Sequence, residues 1–153
     1  MIKNRRRRGF LARLAALCAW PAVNVRAADA PAESVEVMVL KLTGGAVVQT
    51  GRVKLEMPLL ADNGNSVSLK VSVDSPMTAD SHVESIHLYA ARNPRPNVAN
   101  FYLGPRAGRA QVVTRVRLGG SQRVLAVAAL SDGSFWSATA DVVVTFSACY
   151  DAT

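Results

Sequence analysis

An all-β fold, an immunoglobulin-like antiparallel β-sandwich in a single domain that follows a cleaved leader, is what this chain predicts. Three observations predict it. Apolar and polar residues alternate with period two through several short segments, as half-buried strands require. Turn residues separate those segments at short, regular intervals. No helical apolar stripe of useful length lies between them beyond residue 43. The chain has 153 residues, half of them hydrophobic, which suffices for one core and is too short for two. A small closed barrel is the alternative architecture.

Taken in order, Val35 to Leu42 (VEVMVLKL) satisfies two templates. Its β-branched residues suit a strand, while Val35, Met38, Val39 and Leu42 fall at helical spacing. Thr43-Gly44-Gly45 ends the segment either way. Arg52 to Leu60 alternates Val53, Leu55, Met57 and Leu59 against Lys54 and Glu56, and reads as one strand. Asp62-Asn63-Gly64-Asn65 follows as a turn, with Asn63-Gly64 the positive-φ pair of a tight hairpin. Ser66 to Asp74 alternates strictly, placing Val67, Leu69, Val71 and Val73 on a buried face. Strands are then expected at 83–91, 101–103, 111–118, 123–130 and 134–145. The breaks are Asn93-Pro94-Arg95-Pro96-Asn97, Gly104-Pro105, Gly119-Gly120 and Asp132-Gly133.

The net charge of +7 suggests a nucleic-acid partner until position is considered. Lys3, Arg5, Arg6, Arg7, Arg8, Arg13 and Arg26 hold seven of the 18 basic residues within the first 27 positions, and the eleven that remain equal the eleven acids. A neutral remainder has no field to condense onto phosphates, so nucleic acid is excluded. The first 27 residues read instead as an export signal. A cationic stretch precedes an apolar run from Phe10 to Val25, and Val25-Arg26-Ala27 suits cleavage after Ala27. Arg7-Arg8-Gly9-Phe10-Leu11 matches the twin-arginine pattern, so a periplasmic location is expected, with no membrane anchor in the mature form. The domain would then run over 28–146, with 147–153 as a C-terminal arm. Cys18 leaves with the leader, and Cys149 stays as the single cysteine of the mature chain.

Signatures of catalysis are missing from the sequence: no phosphate-binding glycine loop, no nucleophile elbow, no histidine pair at helical ligand spacing. No motif therefore indicates a catalytic class or a bound cofactor. His82 and His87, five apart on one β segment, would face opposite sides of an ideal strand. Together with Cys149 they supply metal-ligand types, although ordinary hydrogen-bonded histidines are the simpler reading. Arg115 and Arg117 share a strand face, either as a solvated surface or as an anion or partner surface. Trp136 and Phe101 are read as packing residues.

Cys149 stands three residues past Phe146, the end of the last apolar run. If the chain is free from Phe146 onward, the thiol reaches roughly 10 Å beyond the sandwich. An accessible thiol is a competent nucleophile and sulfur carrier. Its ordinary pKa of about 8.5 leaves only a few per cent thiolate at neutral pH, which suits activation by a partner. The other reading is a cysteine folded back as a small buried hydrophobe.

Several segments in order resemble the SoxY family, the carrier subunits of bacterial thiosulfate oxidation. Leu55-Glu56-Met57-Pro58-Leu59-Leu60-Ala61-Asp62-Asn63-Gly64 resembles its L-x-x-P-x-x-A-x-N-G segment, and Asn93-Pro94-Arg95-Pro96 its N-P-x-P loop. Arg115-Val116-Arg117-Leu118, then Gln122, Val124, Ala126 and Ala128, resemble its R-x-R-L and Q-x-V-x-A-x-A run. The resemblance implies a carrier whose C-terminal cysteine, here Cys149, is joined oxidatively to thiosulfate by a haem enzyme and then presented to other enzymes. It also implies a heterodimer with a second β subunit, SoxZ. The family arm reads G-G-C-G-G, whereas this chain has Ser147-Ala148-Cys149-Tyr150-Asp151, a thicker and less pliable segment. A periplasmic β-sandwich interaction module without sulfur-carrier activity is the alternative function.

Overall fold

The computed structural model describes residues 33–148, and the expectations about the leader, its cleavage and Cys18 lie outside the described residues. The ambiguous first segment is a helix, α1 (Val35–Thr43). Its ends decide the matter. Ser34 caps the N-terminus by accepting from the Val37 amide at 3.4 Å, and Gly44 closes the C-terminus in the left-handed region at φ 61. Glu36 in the first turn and Lys41 in the last suit the helix dipole, and Lys41 is ion-paired with Glu33. The residues at helical spacing, Val35, Met38, Val39 and Leu42, are half-buried, while Val37 and Leu40 are exposed.

Nine strands follow: β1 (Val48–Thr50), β2 (Val53–Glu56), β3 (Leu60–Asn63), β4 (Val67–Val73), β5 (Val83–Ala90), β6 (Asn97–Tyr102), β7 (Gln111–Val116), β8 (Gln122–Leu130) and β9 (Phe135–Phe146). A short 3-10 turn, Pro105–Ala107, joins β6 to β7. The larger sheet runs β1-β9-β8-β5-β6, and the smaller runs β2-β4-β7. The all-β sandwich is thus as expected. Its main ladders are antiparallel, but two short pairings are parallel. β1 meets the start of β9 (Val48 opposite Phe135), and β3 meets its end (Leu60 opposite Val143). At 12 residues β9 is long enough for both strands to share one of its edges while β8 takes the other.

The expected single strand over 52–60 is therefore two, one in each sheet. Pro58 has no amide to offer a ladder, and the chain crosses between the sheets at Met57–Leu59. The hairpin expected at Asn63-Gly64 is also absent, because β3 and β4 pair with different partners. Asn63 closes a local turn through its side chain, which accepts from the Asn65 amide at 2.8 Å. Neither Asn63 nor Gly64 has a positive φ.

The core lies between the sheets. On β4 the alternation holds as read: Val67, Leu69, Val71 and Val73 are buried and Ser68 is exposed. Facing them are Ile86 and Leu88 of β5, Val124, Ala126 and Ala128 of β8, and Val142 and Val144 of β9. Each such Val, Ile or Leu contributes about 1.5–3 kcal/mol by burial. Trp136 and Phe101 pack against this core from the rim, as expected, and the Arg52 guanidinium lies 5.2 Å above the Trp136 ring.

Candidate functional site

In sequence, the end of β9 leads to Cys149, and hydrogen bonds tie the chain to the sandwich as far as Ala148. Gly64 donates its amide to the Phe146 carbonyl at 2.7 Å, and its own carbonyl accepts from Leu118 at 2.8 Å. The Leu118 carbonyl in turn accepts from the Ala148 amide at 3.0 Å. Three remote segments thus interlock at one point, and Gly64 sits in the middle with no room for a side chain. A Cβ there would strike the Leu118 carbonyl oxygen and lie 2.8 Å from the Ala148 nitrogen and 3.0 Å from Val144 Cγ1. Gly64 is glycine for close approach, not for a turn.

Ala148 is buried, and its amide is tied down. The fixed chain therefore reaches two residues beyond Phe146. Cys149 is the next residue in sequence, one peptide step of about 3.8 Å from Ala148 by covalent geometry. Cys149 itself lies outside the described residues, as does Tyr150.

A second set of contacts frames the same end. Ser121, just before β8, takes the place of a ladder partner for β9. Its hydroxyl accepts from the Val144 amide at 2.8 Å. Asn93, in the loop between β5 and β6, is buried and bonded three ways. Its Nδ2 donates to the Arg117 carbonyl at 2.8 Å, and its Oδ1 accepts from the Gly119 amide at 2.9 Å and from Gln122 Nε2 at 3.0 Å. Gln122 Oε1 accepts the Arg92 amide at 2.9 Å. This hub joins the 93–96 loop to the 117–122 loop. Neither Asn93 nor Gln122 was singled out as a site residue by sequence reasoning, although both fall in motifs carrying the family resemblance.

Arg115 is exposed on β7 of the smaller sheet, and Arg117, one residue past the end of that strand, is exposed as well. Arg115 Nη1 donates to Ser66 Oγ at 3.3 Å. Beside the interlock, Leu60 and Val143 stand opposite each other and exposed, with Leu59 and Phe146 also exposed along the same strand pair.

The two histidines lie elsewhere, on β5 and just before it. A bulge between Val83 and Ser85 breaks the simple alternation assumed for them. His87 is buried, with Nδ1 at 2.9 Å from Asn100 Oδ1 and Nε2 at 3.0 Å from Ser85 Oγ, so both ring nitrogens are engaged. Desolvation holds its pKa below the ordinary value, against the opposing effect of the hydrogen bond that Nδ1 donates to Asn100 Oδ1. Its ring stacks with Tyr89 and meets Tyr102 edge-on, a cluster the sequence did not announce. His82 keeps Nδ1 buried without a hydrogen-bond partner among the described residues. Among those residues no three His, Cys, Asp or Glu side chains converge as a metal site.

Comparisons with known proteins agree with this architecture. The family model described as sulfur oxidation protein SoxY matches residues 39–149, a span ending on Cys149. The sulfur carrier protein SoxY from Chlorobium limicola f thiosulfatophilum superposes with a TM-score of 0.62 at 23% identity, over 74% of this chain and 97% of that one. Superoxide reductases share the fold too. The neelaredoxin from Ignicoccus hospitalis gives 0.57 at 19% identity (63% and 94% covered), and the Nanoarchaeum equitans enzyme 0.53 at 12% (63% and 100%). No curated protein matches. At these identities the structural likenesses speak to fold alone.

Proposed function

The chain belongs to the SoxY family of sulfur oxidation proteins, and from that premise we propose that it is a carrier holding thiosulfate-derived sulfur on Cys149 for partner enzymes. One observation carries the reading. The family match ends on Cys149, and the interlock at Gly64, Leu118 and Ala148 fixes the residue just before it to the sandwich. A rigid body that holds the root of a thiol-bearing terminus is what a carrier needs, because its partners must find the cargo in a defined place.

Loading follows ordinary thiol chemistry. The Cys149 thiol loses its proton, its sulfur bonds to the outer sulfur of thiosulfate, and two electrons leave to a haem enzyme acting as oxidant. The product is a cysteine S-thiosulfonate bearing one negative charge. The carrier supplies the thiol and the partner supplies the oxidation, so this chain is not itself an enzyme. A SoxZ-like subunit completes the proposed heterodimer. Support for a partnered state comes from the family and from the exposed apolar residues Leu59, Leu60, Val143 and Phe146 beside the root of the terminus. The proposed setting is the periplasm, reached by the twin-arginine leader over residues 1–27. Among the described residues no helix is long and apolar enough to cross a membrane.

Protein purified from cells grown on thiosulfate tests the proposal. Intact mass and peptide mapping are expected to show a sulfur-containing adduct on Cys149, and Cys149→Ser is expected to abolish it together with sulfur-dependent function. Unmodified Cys149 with the partner enzymes present, or full function in Cys149→Ser, would leave the interaction-module reading in its place.

A further inference from the structure

An edge strand carries a row of amides and carbonyls that its own sheet leaves unpaired, and folded proteins usually blunt such rows. Most edges of this sandwich are blunted. β1, β2 and β3 have only three or four residues, and Pro58 follows β2 closely. β6 is bulged against β5 between Leu88 and Tyr89. β7 has none of these guards. It runs six residues, Gln111–Val116, in unbroken register with β4, rich in β-branched side chains and free of proline, glycine and lysine. Its far side pairs with no other strand of the described residues.

The register fixes which groups that side offers. One step before β7 the ladder is already formed, with the Val73 amide donating to the Ala110 carbonyl at 2.8 Å. Antiparallel ladders alternate, so Val112, Thr114 and Val116 turn their amides and carbonyls to β4. Gln111, Val113 and Arg115 turn theirs to the open side. The side chains of the same three residues are exposed, Val113 by 69%. Arg115 is drawn back toward the start of β4, where Nη1 donates to Ser66 Oγ at 3.3 Å.

Charge decides the occupant. Arg109, Arg115 and Arg117 follow one another along this stretch, all exposed, and the one charged residue of β4 is Lys70. None of these arginines is ion-paired with a carboxylate of the described residues, whose pairs are Lys41–Glu33, Lys54–Glu56, Lys70–Glu56 and Arg123–Asp141. A second copy laid antiparallel with Val113 facing Val113 would set Arg109 opposite Arg117 at both ends, and like charges directly opposed are destabilising. A strand with acidic ends meets opposite charge at those places. We propose that β7 is a docking edge for an extended segment of a partner protein, apolar or β-branched in its middle and acidic at both ends. The segment adds to the three-stranded smaller sheet as a further strand. Main-chain hydrogen bonds attach it, and the flanking arginines select its charge. The inference is independent of the carrier reading, since it uses no residue of the cysteine-bearing terminus.

A blocked heptapeptide, with valine and threonine alternating between terminal glutamates, is the probe, and a lysine-ended peptide of the same core is its control. Amide hydrogen exchange of the purified protein is followed residue by residue by NMR. Saturating glutamate-ended peptide is expected to slow exchange at Gln111, Val113 and Arg115 by about tenfold or more. Val112, Thr114 and Val116, already bonded to β4, are expected to change by less than about twofold. The lysine-ended peptide is expected to bind about tenfold more weakly. Val113→Pro removes an amide that faces outward, a position where edge strands tolerate proline, and is expected to fold yet lose the protection. R109E/R117E, which leaves the strand itself intact, is expected to reverse the preference between the two peptides. No slowing at the three amides with millimolar glutamate-ended peptide overturns the proposal. So does slowing without the alternation, which would show mere adhesion of charge. Equal binding of both peptides, or an unchanged preference in R109E/R117E, overturns the acidic assignment. Protection of the same three amides that grows with protein concentration alone would give the edge to a second copy instead.

Discussion

Replacing Gly64 by alanine should loosen the C-terminus from the sandwich, by an amount that can be worked from the structure. The added Cβ meets backbone first, the Leu118 carbonyl oxygen and the Ala148 nitrogen, and these cannot rotate away as a side chain can. Accommodation requires the Leu118 and Ala148 segments to separate. Overpacking of this kind costs about 1–3 kcal/mol. Separation also weakens the Ala148–Leu118 and Leu118–Gly64 hydrogen bonds, each worth about 0.5–1.5 kcal/mol. The sum is roughly 2–6 kcal/mol, a large part of the about 5–15 kcal/mol that holds a domain folded, and should lower Tm by roughly 6–30 °C. Gly104→Ala is the matched control. Gly104 has an extended φ of −153 and nothing within 4 Å of its would-be Cβ. It should melt at or slightly above the wild-type temperature. Thermal denaturation and hydrogen exchange at the Ala148 and Leu118 amides measure both effects. The reasoning is refuted if Gly64→Ala melts with Gly104→Ala and Ala148 stays equally protected.

Two further predictions address the hub and the buried histidine. Asn93→Asp keeps the acceptor for Gly119 but cannot donate to the Arg117 carbonyl, and it buries a charge. It should destabilise by about 2–4 kcal/mol in chemical denaturation, whereas an exposed change such as Asn97→Asp should be near neutral. His87 has a depressed pKa, so below its ordinary value near 6.5 the unfolded chain binds a proton that the folded chain resists. Stability should be full at higher pH and fall as pH drops below about 6.5 until the lower folded pKa is passed. A His87→Gln variant should lack that dependence in denaturation curves taken from above about pH 6.5 downward.

What was legible in the sequence follows physical locality. The strict alternation of 67–73 predicts β4 because period two is written into neighbouring residues. The shared exposure of Arg115 and Arg117 follows from the same rule, and the Asp132-Gly133 turn is realised with Gly133 at φ 79 and Asp132 Oδ1 accepting from Ser134. The helix at 35–43 was decidable in principle, since Ser34 and Gly44 are its caps, but the β-branched residues between them argued equally for a strand.

Pairings made at long range were not legible. Val48–Thr50 and Leu60–Asn63 are too short to announce themselves, and their parallel partners on β9 lie more than 80 residues away. Asn63-Gly64 is the plainest case. As a dipeptide it signals a hairpin, because local chemistry knows only φ and ψ. In the fold Gly64 is the crossing point of three segments, a demand for empty space that no neighbour in sequence expresses. The sequence by itself determined the sandwich, the position of Cys149 and the family motifs, because composition, period and motif spacing are properties of the chain alone. Tertiary structure alone decided that the root of the cysteine-bearing terminus is locked at Ala148 through Leu118 and Gly64, because closing loops that long brings together residues whose proximity no local pattern encodes.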